Sequence, residues 1–410
     1  MLLANKELQL DNVGEFMERF GLQRHQKTLV ARYISELKYS GIQKLCESIL
    51  SASKINEPLL QRGLLSAFLK FKKIENWSVA IAKLMILASK EDTTELNRVL
   101  KRVSALDFTD EVIKRFKEYV GFNMQNLNQQ ELVKAAQSIL YNNITQTVAK
   151  VEKDPYRQLK IEDAMQLTQL NQLLFEVERH PMISIDFKEL LRQMNAFIKG
   201  ETLIEVYGAE AEFSEYTQSM IWEVLATTQQ HLQDSPREAI GKMERISLQQ
   251  ELDGNTGSTL KYIMYVGRLH QQINAIDTYT LNSPEAYIQQ YTQQWYNIDK
   301  VYRQALNIYK GLDTTEIPDK VALEAIHNEL NGAYEKHIET LNREWLACFH
   351  QFKFDYAKLR VPKQYDFFKT EIANQEQKVV VIISDGLRYE VGEHLLTELH
   401  ADTKNTAEIR

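Results

Sequence analysis

A chain of 410 residues is too long for one ordinary domain, and a hydrophobic content of 44% is too high for a disordered polymer. Only 15 glycines and 7 prolines interrupt it, which favours long helices. A formal charge of -7 argues against a nucleic-acid coat protein, and two widely separated cysteines, Cys46 and Cys348, exclude a disulfide scaffold.

The opening MLLANKELQLDN carries Lys6 and Glu7 and has no apolar core, so it does not read as a secretory signal. Nothing approaches the roughly 18 uninterrupted apolar residues of a membrane span. The expectation is a cytoplasmic protein with no membrane partner. Residues 1–120 read as a domain of short helices: Val13 to Phe20, Gln26 to Tyr39, Ile42 to Ser51, Leu59 to Phe71, Ser78 to Ala88, Thr94 to Val103 and Asp110 to Tyr119. Residues 1–75 carry 12 Lys/Arg against 8 Asp/Glu, and residues 351–370 carry 5 against 2. Such a surplus is either a solvated helix face or a patch for phosphate or an acidic protein.

Residues 121–282 form a second helical region, broken at DPYR, RHPMIS and DGNTGST. Asp154-Pro155, Ser235-Pro236 and Ser283-Pro284 each pair an N-cap residue with a proline suited to the first helical position. Glu238 completes a capping box with Ser235. DGNTGST lacks the Lys of a phosphate loop and follows no strand, so it reads as a flexible link between helices.

Residues 283–360 predict a long antiparallel helical hairpin. One seam runs Ile288, Tyr291, Trp295, Ile298, Tyr302, Ala305, Tyr309, Leu312 in steps of three and four. A second helix, from Asp319 to Leu359, carries the stripe Leu323, Ile326, Leu330, Tyr334, Ile338, Leu341, Trp345, Phe349, Phe352, Tyr356, Leu359. Two complementary stripes joined by a short link pack on each other most cheaply. Cys348 falls among these apolar residues, where packing is its expected role. His327 and His337 lie too far apart on this helix to share a metal, and His394 and His400 read as surface residues.

Residues 361–410 differ in kind. In VVVIISDGLRYE, Val379 to Ile383 is an unbroken β-branched run, which predicts a strand buried on both faces of a parallel sheet. Ser384-Asp385-Gly386 turns the chain, and Leu387, Val391, Leu395 and Leu399 predict a helix lying on that sheet. In such β-turn-α units ligands bind beyond the carboxyl end of the strand, where Asp385 stands. On spacing alone Asp385 is equally a hard oxygen ligand for a divalent metal or the cap of the following helix.

The strand, the run Asp385-Gly386-Leu387-Arg388-Tyr389-Glu390 and the helix after it resemble the opening motif of the PglZ domain, a branch of the alkaline-phosphatase superfamily. VPKQYDFF, 361 to 368, leading from a long helical region into the strand, is similar to PglZ proteins of type-1 BREX bacteriophage-defence systems. The motif match covers residues 361 to 400. The resemblance implies a metal-dependent hydrolase of phosphate esters using zinc, with Asp385 ligating the metal and a hydroxyl nucleophile and further Asp/His ligands later in the sheet. It implies a mainly α chain ending in the first β-turn-α unit of a truncated α/β domain. Such a fragment should carry no catalytic residue of its own, hold no metal tightly and bind other BREX components through its helices. The alternatives are a helical module holding DNA phosphates with its basic residues, and a helical scaffold in which Asp385 is only a cap.

Overall fold

The structure, a computed structural model, describes residues 12–50, 55–229, 232–249, 252, 254–402 and 406–409. The architecture is mainly α, as expected, and no strand occurs among the described residues. None of the described helices is long and apolar enough to cross a membrane. The chain divides into two compact units, Met1–Thr217 and Gln218–Arg410.

In the first unit the expected helices form at Lys27–Leu37, Ser40–Leu50, Glu57–Phe68, Trp77–Ala88, Thr94–Ala105 and Thr109–Val120. Their patterns explain their places. Thr94–Ala105 buries only Leu96, Val99 and Val103, one stripe of an amphipathic surface helix. Trp77–Ala88 is apolar on all sides and buries eleven of its twelve residues, so it forms the centre of the unit. Around it pack Gln129–Thr145, Ala164–Glu178 and Ser184–Met194. Gly121 ends Thr109–Val120 at φ +69, where a Cβ would also stand 2.8 Å from Ile161 Cδ1.

Asp154-Pro155 does not start a helix beyond the single 3-10 turn Arg157–Leu159. The Asp154 side chain is turned inward instead. It accepts hydrogen bonds from Tyr141 Oη at 2.6 Å and Tyr207 Oη at 2.8 Å. Its other oxygen still accepts from Tyr156 N at 2.8 Å, so one carboxylate serves two phenols and the turn after Pro155.

The second unit begins with Gln218–Gln229, Pro236–Gln249 and Gly254–Asn274. Asp253 lies outside the described residues, but GNTGST is not a loop: it lies in the helix Gly254–Asn274, with Thr256 and Thr259 buried. The hydroxyls of Ser258 and Thr259 donate back to the carbonyls of Gly254 and Asn255. Polar residues that suit a loop therefore satisfy themselves within the helix. Asn255 also fixes the link between the hairpin helices, exchanging two hydrogen bonds with the Asp313 backbone.

The hairpin itself forms. Ser283 caps Pro284–Gln290 through Ala286 N, and Asp319 caps Lys320–Gln351 through Ala322 N. Pairing runs antiparallel: Tyr287 meets Trp345, Tyr302 stacks on Tyr334 and Tyr309 on His327, the last two with centroids 3.7 Å apart. Two features depart from the expected seam. A π turn, Tyr291–Trp295, interrupts the first helix before Tyr296–Lys310. The second helix ends at Gln351, because Lys353 and Phe354 take left-handed φ values of +53 and +51, leaving Phe352 and Tyr356 exposed beyond it.

The strand expected at Val379 to Ile383 is absent. The run lies without regular structure and is exposed, Ile382 and Ile383 by 87% and 89%. A strand exists only through pairing, and no described segment offers an edge to pair with. The turn and helix that should follow are present, Gly386 at φ +73 and the helix at Tyr389–Ala401.

Candidate functional site

Asp385 stands exposed on the turn between the apolar run and the helix Tyr389–Ala401. Its neighbour Gly386 adopts the left-handed conformation that lets the chain reverse there. Asp385 does not cap the helix: the N-cap position is Arg388, and no side chain caps it. The carboxylate is thus offered to solvent.

The turn is held in place from its C-terminal side. The Tyr389 ring packs on Tyr291 and Tyr296, with centroids 6.1 and 5.4 Å away. Its hydroxyl donates to Thr292 O at 3.3 Å and Glu393 Oε1 at 3.0 Å. Burial first, then the Glu393 carboxylate, pushes this phenol up to about 12. Glu390, one residue on, is fully buried and faces Arg303 Nε at 3.8 Å.

Beneath lies a network that joins both hairpin helices. Asp299 accepts hydrogen bonds from the hydroxyls of Tyr291 and Tyr334. Burial raises both phenols, and Asp299 raises them further. Tyr279 Oη lies 2.8 Å from His337 Nδ1, and burial holds that imidazole below its usual value. Tyr302 Oη donates to Asn331 Oδ1 at 2.9 Å. Tyr291, the first residue of the π turn, contacts both Asp299 and Tyr389.

Sequence reasoning selected Asp385 and missed Asp299, Arg303, His337 and Glu390. The available signal was polar residues at seam spacing: Asp299 is four residues after Trp295 and three before Tyr302, and His337 is three after Tyr334 and four before Leu341. The helix after Asp385 also shows its unexpected side. Leu387, Leu395 and Leu399 are 50%, 49% and 36% exposed, while Glu390 is the buried residue. His394 is exposed, as expected of a surface residue.

These residues do not make a metal centre. No group of three or more His, Cys, Asp or Glu able to hold a metal ion occurs among the described residues. A lone carboxylate such as Asp385 falls short of the four ligands of a zinc site.

An alkaline phosphatase-like protein PglZ from Bacillus cereus (strain H3081.97) is 30% identical over 151 residues. That stretch is 35% of this chain and 17% of the length of the relative. The similarity relates this chain to PglZ-type proteins. No protein-family model matches the chain, and no solved structure does.

Proposed function

We propose that this chain is the helical, partner-binding portion of a PglZ-type metal-dependent hydrolase of phosphate esters, and that it contributes Asp385 as one metal ligand. The observation that carries this reading is the exposed Asp385 turn, anchored by Tyr389 and Glu390, in a chain similar to an alkaline phosphatase-like protein. A divalent metal, zinc in this reading, supplies charge to the phosphoryl oxygens and lowers the pKa of the attacking hydroxyl. The nucleophile and remaining ligands are assigned to residues other than the described ones. The chain's own residues hold the Asp385 carboxylate in the open, on a turn fixed to the hairpin.

The partners in this reading are other components of a BREX bacteriophage-defence system, met by the helical surface. Part of the basic surplus is engaged internally: Arg32 pairs with Glu57, Lys70 with Glu95 at 2.6 Å and Lys358 with Asp355 at 3.2 Å. This favours a protein partner over DNA phosphates.

The test has two arms, using bis(p-nitrophenyl) phosphate with added Zn2+. The 410-residue chain should show no hydrolysis. A product of the source cell heavier than 47.8 kDa that contains this chain should hydrolyse the diester in a way that Asp385→Ala abolishes. Turnover by the 410-residue chain itself, lost on Asp385→Ala, would refute the partner-binding assignment. Undiminished turnover by the heavier product carrying Asp385→Ala would refute the ligand assignment.

A further inference from the structure

The helix Tyr389–Ala401 docks on the hairpin by the side that its sequence makes least suited to burial. Leu395 and Leu399 face solvent, and its first turn carries the fully buried Glu390. Neither carboxylate oxygen of Glu390 has a hydrogen-bond partner, and Arg303 Nε and Nη2 are likewise buried without one. The two groups face each other at 3.8 Å, an ion pair without a hydrogen bond. The Arg303 side chain is 40% exposed, so the charge taken out of water is that of Glu390, and removing Arg303 strands it. Two things offset that cost: the opposite charge, and the helix N-terminus, whose partial positive charge favours a carboxylate in the first turn.

We propose that Arg303 is a positioning residue for Asp385, acting through Glu390 as a latch between the hairpin and the turn. This deepens the function proposed above and rests on it. Arg303 lies on the hairpin helix Tyr296–Lys310, and Glu390 lies five positions beyond Asp385. The intervening chain is short and includes the tight turn at Gly386, so a shift of Glu390 moves the carboxylate. The latch couples the two faces of the Tyr389–Ala401 helix to different tasks. Tyr389 and Glu390 bind it to the hairpin, while Leu395 and Leu399 stay exposed and Ile409 lies against Gly392. Any partner that displaces Tyr296–Lys310 therefore displaces Asp385.

Hydrogen exchange of the 410-residue chain, followed by mass spectrometry, tests the latch. Arg303→Met strands Glu390, so amides of residues 391–401 should exchange at least about tenfold faster, with those of Gly254–Asn274 unchanged. Adding Glu390→Gln to Arg303→Met removes the stranded charge and should restore most of the protection. A purely steric role for the arginine stem would not be rescued this way. Unaltered exchange in Arg303→Met, or loosening that the double variant leaves in place, overturns the latch. The diester assay with Asp385→Ala is independent of these readings. If the exchange results hold and that assay fails, the latch stands and its role in positioning a metal ligand falls.

Discussion

Asp299 shows how one carboxylate can hold two helices. It is 8% exposed and accepts from Tyr291 on the π turn and from Tyr334 on the opposite helix of the hairpin. Removing a shared acceptor leaves two phenols unsatisfied, which costs more than losing one bond. Asp299→Ala should therefore destabilise the second unit by about 2–4 kcal/mol, and Tyr334→Phe by only about 1 kcal/mol. Urea unfolding of the two variants checks this. Equal losses would mean that water replaces the carboxylate. Asp154 repeats the arrangement in the first unit with Tyr141 and Tyr207. Neither aspartate's pairing is legible in sequence, because what decides it is a tyrosine brought near by folding: Tyr334 is 35 residues from Asp299 and Tyr207 is 53 from Asp154.

At the scale of elements, the helices were legible because their signals are local. Ser283 followed by Pro284 is a cap, a first-position proline and a helix start within two residues, and the structure uses it as such. The antiparallel pairing was legible too, from two stripes joined by a short link. The π turn at Tyr291–Trp295 was not, since one extra residue in a turn leaves the three-and-four spacing nearly intact. Val379 to Ile383 was misread for the opposite reason: β-branching favours a strand, but pairing is non-local. The hairpin makes a prediction about pH. Its interior and the adjoining helix Gly254–Asn274 hold His270, His327 and His337, and burial lowers all three from the ordinary 6.5. Glu329, 3.1 Å from His270, opposes that shift, as Asp299 does for His337. The unfolded chain binds protons near pH 6.5 that the folded hairpin refuses until lower pH. Stability from these groups is thus complete above about pH 6.5 and falls as the solution is acidified below it. The melting temperature should drop between pH 7.5 and 5.5, and His270→Gln with His337→Gln should flatten the profile. A melting temperature that is level or rising over that interval would contradict the assignment.

For the molecule as a whole, the balance of exposed apolar surface is uneven. Most large hydrophobic residues in both units are inside, yet Val379 to Ile383 expose 42–89% of their surface in one continuous run. Tyr365 and Phe368, upstream of the run, are 74% and 68% exposed, and Leu387 and Leu395 beyond the turn are half exposed. Burying such side chains is worth roughly 1.5–3 kcal/mol each before ordering costs, so water alone is a poor neighbour for them. The backbone of the run is unpaired as well, which makes it a template for another extended segment. A second copy of the chain is the neighbour always available in a purified sample. Light scattering should therefore show the average mass rising above 47.8 kDa with concentration. Val380→Lys with Ile382→Lys should suppress the rise, because two charges on the run oppose pairing of like strands. The substitutions touch no buried residue, so the melting temperature should not move. A chain that stays monomeric at every concentration would show that the run is shielded in solution. Association that survives both lysines would place the contact elsewhere, with the exposed leucine face of Tyr389–Ala401 as the next surface to charge.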